Sequence, residues 1–254
     1  MFRPRVIPVL LLKNKGLVKT IKFKNDRYIG DPINAVKIFN DLEADELVFL
    51  DICASNKKRT IDFELVKKIG DEAFMPFAVG GGISNISSID NIINSGAEKV
   101  VINSAIYNNL KLIREASDKF GSQSIIASID VKINLFGKNQ LFSHSGGKKQ
   151  NIDIEDHLQN IQKYGAGEIM INVINNDGLM KGYNTPLIKY VSNLVDIPVI
   201  ACGGAGSLTD FSDAHFNGEA SAVAAGSFFV YHGPRNAVLI NYPNRSELRN
   251  IFNK

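Results

Sequence analysis

A repeated block of sequence constrains this chain more than any other feature. Segment 76–83 reads PFAVGGGI, and about 122 residues later segment 198–205 reads PVIACGGA. Each segment leads through a helical pattern into a second apolar run and a small polar turn. Both blocks therefore predict the same order of strand, Gly-rich turn, helix, strand and turn. A chain with this repeat is built from two similar halves, which we place at about residues 1–122 and 123–254.

Short apolar runs alternate with amphipathic stretches of about 10–15 residues along the chain, the alternation typical of a parallel sheet. The amphipathic stretches have helical spacing, as at Ile33, Val36 and Phe39. Proline stands at the first position of two of them, at Pro32 and Pro186, where a helix tolerates it best. The predicted strands are 5–12, 46–51, 76–80, 99–103, 124–131, 168–174, 198–202 and 221–225.

Eight strands in two related halves favour a closed barrel over an open doubly wound sheet. The open fold would carry a GxGxxG fingerprint after its first strand, and none follows the first strand here. A length of 254 residues with 44% hydrophobic content fits one barrel domain. We therefore predict an α/β fold, a (β/α)8 TIM barrel spanning residues 1–254. The pattern assigns no conformation to residues 13–31.

Charge and composition exclude several classes of protein. The formal net charge is only +3, and no basic run exceeds a few residues, which argues against nucleic-acid or membrane partners. The N-terminal apolar run is too short for a membrane span and has no small-residue cleavage site. Cys53 and Cys202 lack metal-ligand spacing, and the four histidines form no ligand pair. We expect a cytoplasmic protein with no metal and no cofactor.

The two Gly-rich turns predict a pair of phosphate sites at the carboxyl ends of the strands. Glycine lets backbone N–H groups approach an anion, and a helix N-terminus follows each turn. Two matched sites suit a substrate with a phosphate at each end, whereas the alternative is that the glycines serve only tight turns. The candidate phosphate-binding residues are Gly81, Gly82, Asn103, Ser104, Asp177, Gly178, Gly203, Gly204, Ala225 and Gly226.

Asp130 is the strongest candidate for acid–base chemistry. It ends the fifth predicted strand, and strand alternation points its side chain into the barrel mouth. A helix cap or an ion pair is the alternative role for a carboxylate at this position. The repeat aligns Asp130 with Leu11, which can neither take nor give a proton. Lys19 and Asp51 are the other polar candidates near the mouth.

Four charged residues stand at the opposite ends of the strands. Strand parity points all four side chains into the barrel. Buried charges cost several kcal/mol unless they are paired, so a neutral interior ring must be mutually salt-bridged. The functional interpretation is a gate in the barrel floor, and the alternative is a solvated rim. The residues of this ring are Arg5, Glu46, Lys99 and Glu168.

A set of short motifs is spread across nearly the whole chain, namely RVIP at 5–8, DELVFLDI at 45–52, VGGGI at 79–83, KVVINS at 99–104, FGSQ at 120–123, GAGEI at 165–169, DG at 177–178 and ACGGAG at 201–206. In these motifs the sequence resembles the cyclase subunit of imidazole glycerol phosphate synthase, the HisF barrel of histidine biosynthesis. The resemblance implies a duplicated half-barrel and two sites for a phosphorylated small molecule.

The resemblance also implies a partner. Members of the family dock a HisH-like glutaminase on the N-terminal face, and its ammonia travels through the barrel to the mouth. The family's ammonia gate falls on the ring of Arg5, Glu46, Lys99 and Glu168, so the passage looks preserved. Asp45 and Glu98 border that face as candidate docking contacts.

The sequence departs from the family at the mouth. The family's two catalytic aspartates fall on Leu11 and Asp130, so one is lost. Asn172 and Asn175 replace Thr and Asp, and Gly226 replaces Ser. We therefore expect cyclisation of the histidine precursor to be severely impaired or absent.

Segment 9–20, VLLLKNKGLVKT, resembles a HisF-like branch associated with surface-glycan modification. In that branch the barrel and its glutaminase supply ammonia to a separate sugar amidotransferase, which converts an N-acetyl group to an acetamidino group. An ammonia conduit for sugar amidation is thus the leading hypothesis. The alternatives are a working cyclase, with Lys19 covering for Leu11, and a non-catalytic scaffold that carries no ammonia.

Overall fold

A closed ring of eight parallel strands forms the centre of the computed structural model, which describes residues 3–253. Each strand pairs with the next along the chain, and the last pairs with the first, so the ring has no open edge. The predicted TIM barrel is confirmed. The strands are β1 (Arg5–Lys13), β2 (Leu47–Asp51), β3 (Phe77–Gly80), β4 (Lys99–Ile102), β5 (Ile125–Ile133), β6 (Glu168–Val173), β7 (Val199–Cys202) and β8 (Ala222–Ala225).

Helices cover the outside of the ring, and their starts follow local sequence signals. Asp31 accepts hydrogen bonds from the N–H groups of Ile33 and Asn34, with Pro32 at the first helical position. No helix within residues 3–253 is long and apolar enough to cross a membrane. The helices after the strands are α1 (Pro32–Asp41), α2 (Phe63–Glu72), α3 (Ile86–Asn94), α4 (Lys111–Phe120), α5 (Ile154–Tyr164), α6 (Thr185–Ser192), α7 (Leu208–Phe216) and α8 (Arg245–Phe252).

Strand alternation divides the buried side chains between two cores. Val6 and Leu47 pack outward against the helices, while Ile7 and Val48 point into the barrel. The outer core is the larger and holds most of the aromatic residues. The inner core contains Ile7, Val9, Val48, Ala78, Val101, Ile126, Met170, Ile200, Cys202, Ala222 and Ala224.

Two antiparallel hairpins extend beyond the barrel strands at the mouth. The first hairpin, Gly16–Ile21 with Lys24–Gly30, pairs antiparallel with the end of β1 and gives residues 13–31 a defined structure. Its turn places Lys22 and Phe23 at positive φ, the geometry usually occupied by Asn-Gly, so the sequence carries no turn signal there. The second hairpin continues β5 into Asn139–Ser143 and Lys148–Lys149.

Candidate functional site

The four charged residues at the barrel floor form a closed ring of ion pairs. Arg5 contacts the carboxylates of both Glu46 and Glu168, the latter at 2.6 Å. Lys99 Nζ lies 3.1 Å from Glu46 Oε1 and 2.7 Å from Glu168 Oε1. Each cation therefore bridges two carboxylates, as a buried neutral ring requires. The inward placement predicted from strand parity is observed, whereas the gate function stays a prediction.

Above the ring the interior of the barrel becomes apolar. Ala78, Ala222 and Ala224 leave more room here than the bulkier Met170 and Ile200. The inner core thus separates a charged floor from a polar mouth. An uncharged small molecule can enter such a layer at far lower cost than an ion, because only the ion loses strong hydration.

At the mouth, the hydrogen-bonding register aligns one inward residue from each strand. In the first half of the barrel Leu11 pairs with Leu50, and the row continues through Gly80 and Val101. In the second half the corresponding row is Asp130, Asn172, Cys202 and Ala224. The polar groups that could do chemistry at this level therefore lie in the second half.

Asp130 is buried and lies in the mouth cavity. Burial raises the pKa of its carboxyl group to about 7, and the charge of Asp177 adds to the shift, while a hydrogen bond from Asn103 opposes it. A carboxyl group with this pKa exchanges a proton readily near neutral pH. The geometry thus suits the acid–base role predicted for Asp130.

Lys19 reaches into the same cavity from the first hairpin. Its Nζ donates a hydrogen bond to the Val9 carbonyl oxygen at 2.5 Å, and the side chain is buried. Burial lowers the pKa of Lys19 to about 8, although the charge of Asp177 opposes the shift. A Cβ atom at Gly226 would lie 2.0 Å from Lys19 Nζ. Glycine at position 226 therefore leaves room for this ammonium group.

Asp177 fastens the first hairpin over the mouth. Its carboxylate accepts hydrogen bonds from Thr20 Oγ1 at 3.2 Å and from the Phe23 N–H at 3.4 Å. Its own N–H donates to the Val173 carbonyl at 3.0 Å. At Gly178 a Cβ atom would lie 2.2 Å from the Thr20 carbonyl oxygen. Both residues contact the first hairpin, and their predicted role in phosphate binding stays a prediction.

The first predicted phosphate turn faces the mouth. Gly82 adopts φ +64, and a Cβ atom there would lie 1.8 Å from the Arg59 carbonyl oxygen, so only glycine fits. A short helix, Ser104–Tyr107, begins beside this turn with no side-chain cap, which leaves its first N–H groups available. Gly81, Gly82, Asn103 and Ser104 all line the cavity.

The second predicted turn repeats this arrangement. Gly203, Gly204 and Gly226 line the cavity, and the short helix Ser227–Val230 begins there, again without a side-chain cap. Ala225 is different, since its side chain packs in the outer core. Strand alternation alone assigns it that face, because Ala224 and Gly226 take the inward positions. Ala225 can therefore contribute only backbone groups.

The remaining carboxylates near the two barrel openings are already paired. Asp51 accepts a hydrogen bond from the Arg59 guanidinium at 2.7 Å, and so braces a mouth loop. At the floor, Asp45 pairs with Arg3. The Glu98 carboxylate accepts a hydrogen bond from the Phe77 N–H at 2.8 Å. The docking role predicted for Asp45 and Glu98 stays a prediction.

Comparisons with known proteins place the chain in a family. Residues 5–234 match the family model described as histidine biosynthesis protein. The chain is 47% identical over 248 residues to the "Putative imidazole glycerol phosphate synthase subunit hisF2" of Pseudomonas aeruginosa, covering 98% of this chain and 99% of that one. It is 44% identical over 253 residues to the "Putative imidazole glycerol phosphate synthase subunit HisF" of Leptospira interrogans, covering 99% and 100%. It is 40% identical over 232 residues to the "Imidazole glycerol phosphate synthase subunit HisF" of Alkaliphilus metalliredigens, covering 91% and 92%. The chain belongs to the HisF family of imidazole glycerol phosphate synthase subunits.

Proposed function

We propose that this barrel conducts ammonia from a HisH-like glutaminase on its N-terminal face to a sugar amidotransferase at its mouth, in the cytoplasm. The product would be an acetamidino group on a sugar of a surface glycan. The observation that carries the proposal is a complete ion-pair ring beneath a mouth that has Leu11 in place of one acid–base residue.

The barrel floor and the interior support conduction. Ammonia is uncharged, so the apolar inner core admits it at much lower cost than ammonium. The ring must open for a molecule to enter from below. Lys99 is the simplest moving part, because its flexible four-carbon stem can swing the ammonium group away from Glu46 and Glu168 together.

The side chains at the mouth favour delivery of ammonia over catalysis by the barrel itself. Asp130 can exchange one proton near neutral pH, and Leu11 offers no ionisable partner group across the opening. The two Gly-rich turns and uncapped short helices would hold a phosphorylated ligand or a phosphorylated part of the acceptor. Asp130 would then act as a proton relay for arriving ammonia or as a relic of the ancestral reaction.

A working cyclase is the second candidate, and Lys19 is the observation in its favour. With pKa values of about 8 and about 7, Lys19 and Asp130 are both placed to transfer protons near neutral pH. The names of the relatives fit this candidate equally well. In this case Lys19 would replace the carboxylate that Leu11 lacks.

The deciding experiment supplies the purified barrel with ammonium and the histidine-pathway precursor, which removes any need for the glutaminase. We expect little or no cyclised product, because losing one acid–base group costs about 10² to 10⁴ in rate. Turnover at a rate normal for the family would contradict the conduit and establish a cyclase. Leu11→Asp sharpens the test, since a large gain in turnover shows that Lys19 was not covering for the missing carboxylate.

Lys99→Ala separates a conduit from a scaffold. The assay reconstitutes the barrel, the glutaminase and a candidate sugar amidotransferase with glutamine as the only nitrogen source. If the barrel conducts ammonia, the variant should release ammonia to solution and lower the yield of amidated sugar per glutamine hydrolysed. A scaffold would keep that yield unchanged.

A further inference from the structure

The turn of the second hairpin presents two large apolar side chains to solvent. Leu135 is fully exposed and Phe136 is 89% exposed. Asn134 fixes this turn, because its Oδ1 accepts hydrogen bonds from the N–H groups of Phe136 and Lys138, both at 2.9 Å. A rigid, fully exposed Leu-Phe pair is unusual for a hairpin turn, where polar residues are the rule.

A basic rim surrounds the same opening. Residues 131–152 contain four lysines and no acidic residue. Three acids of the first hairpin and its neighbouring loops, Asp26, Asp51 and Asp62, are already paired with basic side chains. Eight exposed lysines at the mouth form no ion pair with another described residue, namely Lys22, Lys24, Lys57, Lys58, Lys132, Lys138, Lys148 and Lys149.

The apolar turn and the basic rim belong to one fixed surface. The base of the second hairpin is anchored on the mouth loops, where the His144 N–H donates to Ser104 Oγ at 3.0 Å and Ser145 Oγ donates to the Ile52 carbonyl at 2.6 Å. The first hairpin touches it, since the Phe23 ring lies 3.1 Å from a Cβ position at Gly146. The surface therefore frames the opening through which the barrel interior is reached.

We propose that this surface docks the ammonia-consuming enzyme, which would present an acidic face with an apolar pocket for Leu135 and Phe136. The inference rests on the proposed function in one respect, namely that ammonia leaves through this mouth. Docking there would seal the opening, so that ammonia passes to the acceptor without loss to solvent. The Leu-Phe pair supplies the apolar anchor, and the unpaired lysines supply orientation and encounter rate.

Other occupants fit the surface less well. A second copy of this chain would bring another basic rim and be repelled. Nucleic acid would use the lysines but leave the Leu-Phe pair without an apolar partner. An anionic bilayer offers both negative charge and apolar depth. A bilayer, however, would place lipid at the opening of the conduit, so we take the protein partner and test the bilayer beside it.

The test measures binding of a candidate sugar amidotransferase to the barrel–glutaminase complex. We compare wild type with a double variant of the turn, Leu135→Ser with Phe136→Ser, and a charge variant, Lys138→Glu with Lys148→Glu. Loss of an interface anchor weakens binding about tenfold or more, and both variants should show this. Ile38→Ser on α1 and Lys67→Glu on α2 are matched controls on the barrel flank, and should bind as wild type.

Equal binding by wild type and the turn variant, or no binding by wild type, would overturn the docking surface. Turn-dependent binding to vesicles of phosphatidylglycerol and phosphatidylcholine, without amidotransferase binding, would overturn it in favour of a bilayer. Failure of the proposed function is a separate result, in which the wild-type complex binds the amidotransferase through the turn yet transfers no nitrogen from glutamine. Circular dichroism and glutaminase activity confirm that the variants fold and keep their partner.

Discussion

At the mouth, the first half of the barrel presents Leu11 and Leu50 where the second half presents Asp130 and Asn172. Each half keeps a Gly-rich turn and an uncapped short helix that begins one strand later. The comparison teaches that both halves keep the backbone geometry that could hold an anion, whereas in the row of inward strand residues only the second half carries an acid–base side chain.

The floor shows the opposite relation between the halves. Glu46 and Glu168 occupy equivalent places in the repeat, while both cations of the ring, Arg5 and Lys99, come from the first half. The net charge of the ring is therefore zero only when both halves contribute their residues. Ion pairs therefore link the two halves at the floor, whereas at the mouth the two halves carry different side chains.

The largest expected effect lies on the polar side of the mouth. The folded-state pKa of Asp130, about 7, is above its ordinary value, so folding favours the protonated carboxyl group. As pH rises from about 4 to 7, the unfolded chain ionises this carboxyl group while the folded protein keeps it protonated, so stability falls. Asp130→Asn should therefore stabilise the protein above pH 7, by up to about 4 kcal/mol, and have little effect below pH 4.

Urea unfolding at several pH values measures this effect, with Leu11→Asn as the matched variant on the apolar side. Neither leucine nor asparagine titrates, so the change that Leu11→Asn causes should be the same at every pH. A pH-independent difference for Asp130→Asn would show that the raised pKa is wrong.

The second-largest effect tests the ion pairs that link the two halves at the floor. Lys99→Met removes the ammonium group that pairs with both carboxylates and leaves Glu46 buried with one fewer partner. Breaking a buried pair in this way should cost about 3 kcal/mol in the free energy of unfolding. Lys111→Met on the exposed side of α4 is the control and should change stability little. Similar losses from both variants would argue that the ring does not stabilise the floor.

The third effect tests the backbone that the halves share. Gly82→Ala would place a Cβ atom 1.8 Å from the Arg59 carbonyl oxygen, and Gly204→Ala would place one 2.3 Å from the Gly182 carbonyl oxygen. Because backbone atoms cannot move aside as a flexible side chain can, each variant should lower the free energy of unfolding by about 2 kcal/mol or more. Gly233 has φ +70 with open space around it, so Gly233→Ala should lower the free energy of unfolding by less, since only the unfavourable backbone conformation destabilises it. Thermal unfolding ranks the three variants.

The smallest effect concerns the one place where the first hairpin enters the mouth. Gly226 has φ −108, so alanine is unstrained there, and its Cβ would lie 2.0 Å from the flexible end of Lys19 and 3.3 Å from the Val9 carbonyl oxygen. Gly226→Ala should displace the ammonium group and lower the free energy of unfolding by about 1 kcal/mol. Hydrogen exchange in residues 16–30 should become faster. In Lys19→Ala the same change should cost clearly less, since only the milder contact with Val9 remains, and an equal cost would contradict the contact with Lys19.

The fold and the floor ring could be predicted because strand alternation has a period of two. Once β1 and β6 were located, the inward positions of Arg5 and Glu168 followed from counting. The same counting assigns the Ala225 side chain to the outer face, so its predicted phosphate-binding role would use backbone groups and stays a prediction. Asp177 could not be assigned by counting, because its partners lie in the first hairpin, about 155 residues away in sequence.

The positive charge around the mouth could not be predicted from the sequence for a related reason. A net charge of +3 describes the whole chain, whereas the unpaired lysines gather from three separate segments around one opening. Averaging over the sequence removes such an asymmetry. Only the closure of the barrel brings residues 22–24, 57–58 and 132–149 to one face.

The sequence by itself determined the duplicated barrel, the inward ring of charges, the two Gly-rich turns and the leucine, Leu11, that aligns with Asp130 in the repeat. These features depend on residue type and local period, and both can be read along the chain. Tertiary structure alone decided that Lys19 is buried against Gly226, that Asp177 holds a hairpin, and that Asp130 titrates near neutral pH. Each of these depends on which distant segments exclude water from a polar group, and that is settled only when the barrel closes.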